Sequence, residues 1–215
     1  MSLSFVITTF IDNDAKLKQL LKCVQSIFDY AIFDYIYILN DSDEDYNNKH
    51  LIRFFPCDKK IKIIETNKRR TELQTFYYIL NFKENSDYYF ILNDNMYLYK
   101  KVPNFNNIDV KLISYSLNNY DNIDTDLIIY ILNEYFIKDK DFLKYALDNV
   151  NENIISCYKC SCIITKEAIR KINNASNFAN IFLLFNDNNK KLASEYIFTL
   201  LCNYYFPNNE DNYIL

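Results

Sequence analysis

Two short stretches place polar residues directly after apolar runs. DYYFILNDNMYLYK, residues 87–100, is an apolar run cut by Asn93-Asp94-Asn95, and DYIYILNDSDEDY, residues 34–46, repeats that outline around Asn40, Asp41 and Asp43. Carboxylates and amides of this kind accept hydrogen bonds from hydroxyl groups and can ligate hard cations. Two further segments end in chemistry-bearing side chains: Thr8-Thr9-Phe10 offers hydroxyls, and Asn67-Lys68-Arg69-Arg70 offers cations. Any one of these is by itself an ordinary polar loop. Their shared position is the informative feature, because in an open parallel sheet ligands gather outside the carboxyl ends of the strands.

The elements that must position these residues alternate along the chain. SFVITTF reads as a buried strand, followed by DAKLKQLLKCVQSIF, in which Leu17, Leu20, Leu21, Val24 and Ile27 form one stripe at helical spacing. YIYIL, KIKIIET and YYFIL read as further strands, and TELQTFYYILNF as a helix with Leu73, Phe76, Tyr77 and Leu80 on one face. HLIRFF is ambiguous. Strands over 4–9, 35–39, 61–65 and 88–92 with nearly continuous apolar character predict an α/β fold, a mostly parallel central sheet flanked by helices on both faces. The second half is less regular. KLISYSL and IISCYKCSCIIT read as strands, DKDFLKYALDNV, TKEAIRKINN and ASEYIFTLLCNYYF as helices, and DLIIYILNEYF fits either. No linker-like stretch divides the 215 residues, so one domain is expected over 1–215.

Composition excludes several function classes. A net charge of −4 with mixed signs argues against a general nucleic-acid binder, which would need a basic face. No apolar run reaches the ~20 residues of a membrane span, and no signal segment precedes the first strand, so a soluble cytoplasmic protein is expected. Glycine is absent, which rules out a glycine-rich phosphate loop of either common type. Left-handed turn positions then fall to Asn and Asp. The abundance of Asn, Ile, Tyr and Lys is what an AT-rich genome, such as that of a large DNA virus, imposes. His50 is the only histidine, which excludes chemistry built on several. Cys157, Cys160 and Cys162 in CYKCSC lack an adjacent fourth ligand, so they are expected to pack as reduced thiols and to bind no zinc.

The order of these strand ends resembles the family-2 glycosyltransferases, which have the A-type nucleotide-diphospho-sugar transferase fold. FVITTFIDNDAKLKQLLKCVQSIF stands where that family has its first strand, turn and amphipathic helix. ILNDSDED stands at the Asp-Asp-Gly-Ser-x-Asp position, IIETNKRRTELQTFYYIL at the Asn-Lys/Arg turn, and FILNDNMY at the Asp-x-Asp motif. The resemblance covers about the first hundred residues and implies that 1–100 is the nucleotide-binding half and 101–215 the acceptor-side half of the one domain. Further on, SCIITKEAIRKI is similar to the strand and helix after the acceptor region, and SEYIFTLL to the helix bearing the catalytic carboxylate. The chain departs from the pattern at Thr8, where the family has proline, and at Ser42, where it has glycine. It departs again at Asn93-Asp94-Asn95, where neutral amides replace two carboxylates.

The resemblance implies transfer of a sugar from a nucleotide-diphosphate donor to a hydroxyl of a glycan, protein or lipid acceptor, with inversion. It assigns nucleotide binding to Thr8, Thr9, Phe10, Asp41, Asp43, Arg69 and Arg70. It puts the donor diphosphate at Asn93 and Asp94, and weakly held Mn²⁺ or Mg²⁺ at Asp94 or Asn95. Glu195 becomes the general base, since it opens the last helix where the family carries one. The alternative is a catalytically degenerate protein of the same fold that binds nucleotide or serves as a scaffold. A nucleotidyltransferase on a related sheet would call for the missing glycine-rich loop.

Overall fold

A computed structural model describes residues 2–42, 44–55, 59–66, 71–103, 108–114, 124–150, 157–185, 188–207 and 213–214. Among the described residues seven strands form one sheet: β1 (Leu3–Thr9), β2 (Tyr35–Asn40), β3 (Ile61–Glu65), β4 (Tyr88–Asn93), β5 (Val110–Ser114), β6 (Cys157–Thr165) and β7 (Tyr213–Ile214), in the order β3-β2-β1-β4-β6-β5-β7. The four strands expected from sequence lie side by side and parallel, with β1 between β2 and β4. β6 runs antiparallel to both β4 and β5, and β7 pairs parallel with β5. The sheet is therefore mostly parallel, with one reversed strand.

Every residue of β1 is buried, as a central strand covered on both faces requires, whereas the edge strand β3 is half-exposed. Alternate side chains divide between two cores. Phe5, Ile7, Ile36, Ile38, Phe90 and Leu92 pack under α1 (Asp14–Tyr30). Phe5 and Phe90 stack across β1 and β4 at 5.1 Å. Removing either ring would cost about 3–5 kcal/mol. On the opposite face Val6, Leu39, Tyr89, Ile91 and Leu112 meet the remaining long helices.

Helix α1 begins where Asn13 caps it, its Oδ1 accepting from the Lys16 N–H at 3.0 Å, and it buries Leu17, Leu20, Val24 and Ile27 as the spacing predicts. The ambiguous HLIRFF becomes the short helix α2 (Asn48–Leu51) followed by a 3₁₀ turn. After it come α3 (Thr71–Asn81), α4 (Thr125–Tyr135), α5 (Lys140–Asn149), α6 (Lys166–Ser176), the short α7 (Phe178–Phe182) and α8 (Asn188–Tyr205). DLIIYILNEYF resolves as helix α4 because Asp124 caps it, accepting from Leu127 N–H, and because Ile128, Ile131 and Leu132 then share a buried face. Helix α8 lies against β6 and brings Glu195 to the start of that strand. No described helix is long and apolar enough to cross a membrane.

Candidate functional site

The parallel register brings both Leu-Asn-Asp turns to one edge of the sheet. Thr9 pairs with Asn40 on one side of β1, and Thr8 pairs with Asn93 on the other. Past the strand ends, the Asp41 N–H donates to the Thr9 carbonyl at 3.0 Å and the Asp94 N–H to the Thr8 carbonyl at 3.2 Å. Asp41 and Asp94 thus flank the end of β1, two strand spacings or roughly 10 Å apart. Because β6 is antiparallel, its first residues arrive at this same edge, next to the end of β4.

The side chains here are bound to one another. The Thr8 hydroxyl donates to Asn93 Oδ1 at 3.1 Å, and Asn93 Nδ2 donates to Ser161 Oγ of β6 at 3.2 Å. Asn93 is 2% exposed, so its amide bolts β1, β4 and β6 together. Asn40 does the same on the other side, donating from Nδ2 to Asn48 Oδ1 and to the Tyr46 carbonyl, and accepting from the Ser42 hydroxyl. Ser42 Oγ in turn accepts from the Ile11 N–H at 2.7 Å. A hydroxyl stands here in the turn where the resembled family has glycine, and it closes the turn by hydrogen bonding.

Asp94 keeps a different status. Thr9 Oγ1 donates to its Oδ2 at 2.6 Å, and the Phe10 N–H also reaches it. Burial pushes its carboxyl above the ordinary carboxylate range, while the Thr9 hydroxyl, Lys159 and Lys16 pull it back down. Asn95 is exposed beside it. Lys16 comes from the first turn of α1 and holds its ammonium 5.0 Å from the Phe10 ring. On the far side Asp41 is buried, 7% exposed, close enough to Tyr78 of α3 to raise the phenol's pKa after burial and Tyr77.

Glu195 is 5% exposed, and its Oε2 accepts from the Lys159 N–H at 2.9 Å. Lys159 and Cys160 both have left-handed backbone, with φ of 48° and 57°. They bend the strand that IISCYKCSCIIT predicts, yet Cys157, Cys160 and Cys162 are all buried and unbridged. Thr199, one turn after Glu195, accepts from the Cys157 N–H at 3.1 Å. Helix α8 therefore holds the irregular start of β6 at two points.

The structure brings together Thr8, Thr9, Phe10, Asn93, Asp94 and Glu195, with Asp41 across the end of β1. Asp43, Arg69 and Arg70 lie outside the described residues. Sequence reasoning missed Lys16, Lys159 and Ser161. The one signal for Lys159 is a charged residue inside the apolar run IISCYKCSCIIT.

The donor set does not suit Mn²⁺ or Mg²⁺. Such ions take several oxygen ligands, with carboxylates supplying the charge. Here one carboxylate, Asp94, already accepts from the Thr9 hydroxyl, and two lysines act on it. The Asn93 amide oxygen is already taken by Thr8. Among the described residues no group of three or more His, Cys, Asp or Glu side chains is arranged to hold a metal.

No protein-family model matches the chain, and no curated protein matches it in sequence. Solved structures do resemble it. The apo form of the bifunctional glycosyltransferase WbbM is 10% identical, with a TM-score of 0.50 over 94% of this chain and 37% of that one. Residues 1–349 of S. aureus TarS are 11% identical, with a TM-score of 0.49 over 94% of this chain and 56% of that one. GalNAc-T7 with UDP, GalNAc and Mn²⁺ is 14% identical, with a TM-score of 0.38 over 43% of this chain and 17% of that one. The chain thus spans well under two thirds of each of these proteins. At 10% identity the likeness to WbbM shows the fold, which is that of the A-type glycosyltransferases.

Proposed function

We propose that the protein transfers a sugar from a nucleotide-diphosphate donor to an acceptor hydroxyl with inversion at the anomeric carbon. The observation that carries this reading is the convergence of four strand ends on one edge, with a buried carboxylate on α8 at the start of β6. Asp41 accepts hydrogen bonds from the base or ribose, with Tyr78 beside it. The Phe10 ring lies at the same end of the sheet, and Asp43, Arg69 and Arg70 extend the nucleotide grip. Thr8 and Thr9 donate inward, so their part is to fix Asn93 and Asp94.

The chemistry asked of these residues is limited. Glu195 accepts the acceptor's hydroxyl proton. The freed oxygen pair forms the new bond to the anomeric carbon, and the bond from that carbon to the diphosphate breaks. The electron pair of that bond leaves on the nucleoside diphosphate, where positive charge offsets it. Asp94 lies within electrostatic reach of Lys159.

A second reading is a protein of the same fold that binds nucleotide without turning it over. The neutral amides at Asn93 and Asn95 favour it, as does the hydrogen bond already accepted by Glu195. The two readings separate in a donor panel assayed for nucleoside diphosphate release, with and without candidate acceptors. Transfer from one donor, abolished in Glu195→Gln, supports the enzyme. Nucleotide binding with no release from any donor supports the binding protein.

A further inference from the structure

The fold's resemblance calls for a divalent cation between the turn after β4 and the donor diphosphate, and the residues of that turn do not fit one. We propose that Lys159 stands in for that cation, neutralising the leaving diphosphate with its ammonium group, so that the protein handles its nucleotide without a divalent metal. This rests on the glycosyltransferase reading of the same edge.

Placement comes first. β6 pairs antiparallel with β4 up to Ile91 and Cys162, and the Asn93 amide then bonds to Ser161. Lys159 lies two residues before Ser161, at the end of β4, and is near enough to Asp94 for its charge to act on that carboxyl. The left-handed pair Lys159-Cys160 turns the strand at this point, and the Lys159 N–H is fixed to Glu195 at 2.9 Å. One residue therefore adjoins both the carboxylate of the donor turn and the carboxylate assigned to the acceptor. A group that meets the leaving diphosphate has to sit between those two.

Charge points the same way. A turn with two carboxylates faces a diphosphate only if a dication lies between them. A turn with one carboxylate has less negative charge to offset: Lys159 already acts on Asp94 as a cation, and Lys16, which also acts on it, is paired with Asp12 at 2.9 Å. An ammonium group is a compact point charge with several donors, which suits phosphate oxygens. The step balances without a co-reactant: the diphosphate leaves as an anion, and Lys159 meets it as an ion pair without giving up a proton.

The test is calorimetric binding of UDP, GDP, CDP and ADP, each against its nucleoside, with Mn²⁺ and with chelator. Parent, Lys159→Met and Lys159→Arg are compared, with thermal melts as the control for folding. Both substitutions keep a β-carbon, so the left-handed backbone costs the same in all three chains. The parent is expected to bind one nucleoside diphosphate equally well in chelator. Lys159→Met should bind that diphosphate about ten- to a hundredfold more weakly, with nucleoside affinity unchanged. Lys159→Arg should keep most of the affinity. Parent binding that needs Mn²⁺ overturns the substitution of lysine for metal and leaves the transferase reading standing. Metal-free binding unaffected in Lys159→Met also overturns it, since the cation then lies elsewhere. Absence of binding by every nucleotide and nucleoside overturns both this proposal and the function on which it rests.

Discussion

Glu195 has two tasks, and substitution can pull them apart. Its Oε2 holds the Lys159 N–H at 2.9 Å inside the protein, at a place where Lys159 and Cys160 are both left-handed. Left-handed backbone costs about 1–2 kcal/mol for each non-glycine residue, so this pair stores roughly 2–4 kcal/mol. A hydrogen bond to a charged acceptor contributes about 1.5–3 kcal/mol, enough to offset most of that. Glu195→Ala leaves a partly buried N–H unmet, at up to about 1–3 kcal/mol. For a chain of this length that is roughly 2–12 °C in Tm. Glu195→Gln keeps the shape and an acceptor oxygen but gives up the charge and the basicity. It should melt close to the parent while losing about 10²–10⁴-fold in transfer, the usual contribution of a general base. Thermal melts, donor turnover and hydrogen exchange at the Lys159 amide read the three quantities separately. If Glu195→Ala melts with the parent and the Lys159 amide stays protected, the carboxylate is not what holds this backbone. If Glu195→Gln turns over like the parent, Glu195 is not the base.

Burial raises the Asp94 carboxyl, so the folded chain holds that proton more tightly than the unfolded chain does. Its stabilising contribution is complete below the unfolded-state pKa of about 3.9 and is lost as pH rises through the higher folded-state value. Asp94→Asn should therefore match the parent's Tm in acid and exceed it increasingly toward neutrality, and an offset independent of pH would contradict the assignment. Asp41→Ala should weaken nucleoside diphosphate binding by about one to two decades, the worth of a charged hydrogen bond, and unchanged affinity by calorimetry would move the nucleotide to another turn. Burial pushes up the thiols of Cys23, Cys162 and Cys202, and a hydrogen bond with Cys157 together with burial does so for Cys160. These four should be inert to Ellman's reagent in the native protein and react on unfolding, and rapid native labelling at any of them by mass spectrometry would refute their burial.

The first half of the sheet was legible because β1, β2 and β4 are nearly continuous apolar runs that stop abruptly at Thr8, Asn40 and Asn93. Such runs belong to strands covered on both faces, and the residue at which each stops marks the edge where ligands bind. The α4 segment was ambiguous because DLIIYILNEYF is apolar at both periods; the deciding signal was Asp124 three residues before Leu127, a capping spacing. The bend in β6 is not legible in the sequence because its left-handed residues are a lysine and a cysteine, neither of which advertises that backbone. The reversal of β6, which brings Lys159 to the site, is a long-range pairing that no local pattern in CYKCSC encodes.

The absence of glycine ties these points together. A left-handed backbone position normally goes to a residue that adopts it without strain. Among the described residues only Lys159, Cys160 and Asn177 have positive φ, and Asn177 is a helix cap of the kind asparagine tolerates well, closing α6. At Lys159-Cys160 the chain has no such tolerance, and a buried carboxylate from α8 supplies what local preference does not. Strained backbone persists only where its surroundings over-determine it. The residue that fixes the bend is also the one assigned to take the acceptor's proton, and the bent residue carries the cation assigned to the leaving group. Glycine at position 159 would relieve the strain and remove the ammonium group in one substitution. Glu195 thus sets the shape of this edge through the Lys159 N–H, while the charge assigned to the leaving group belongs to the Lys159 side chain, so Lys159→Met removes the charge and Glu195→Ala the hold on the bend.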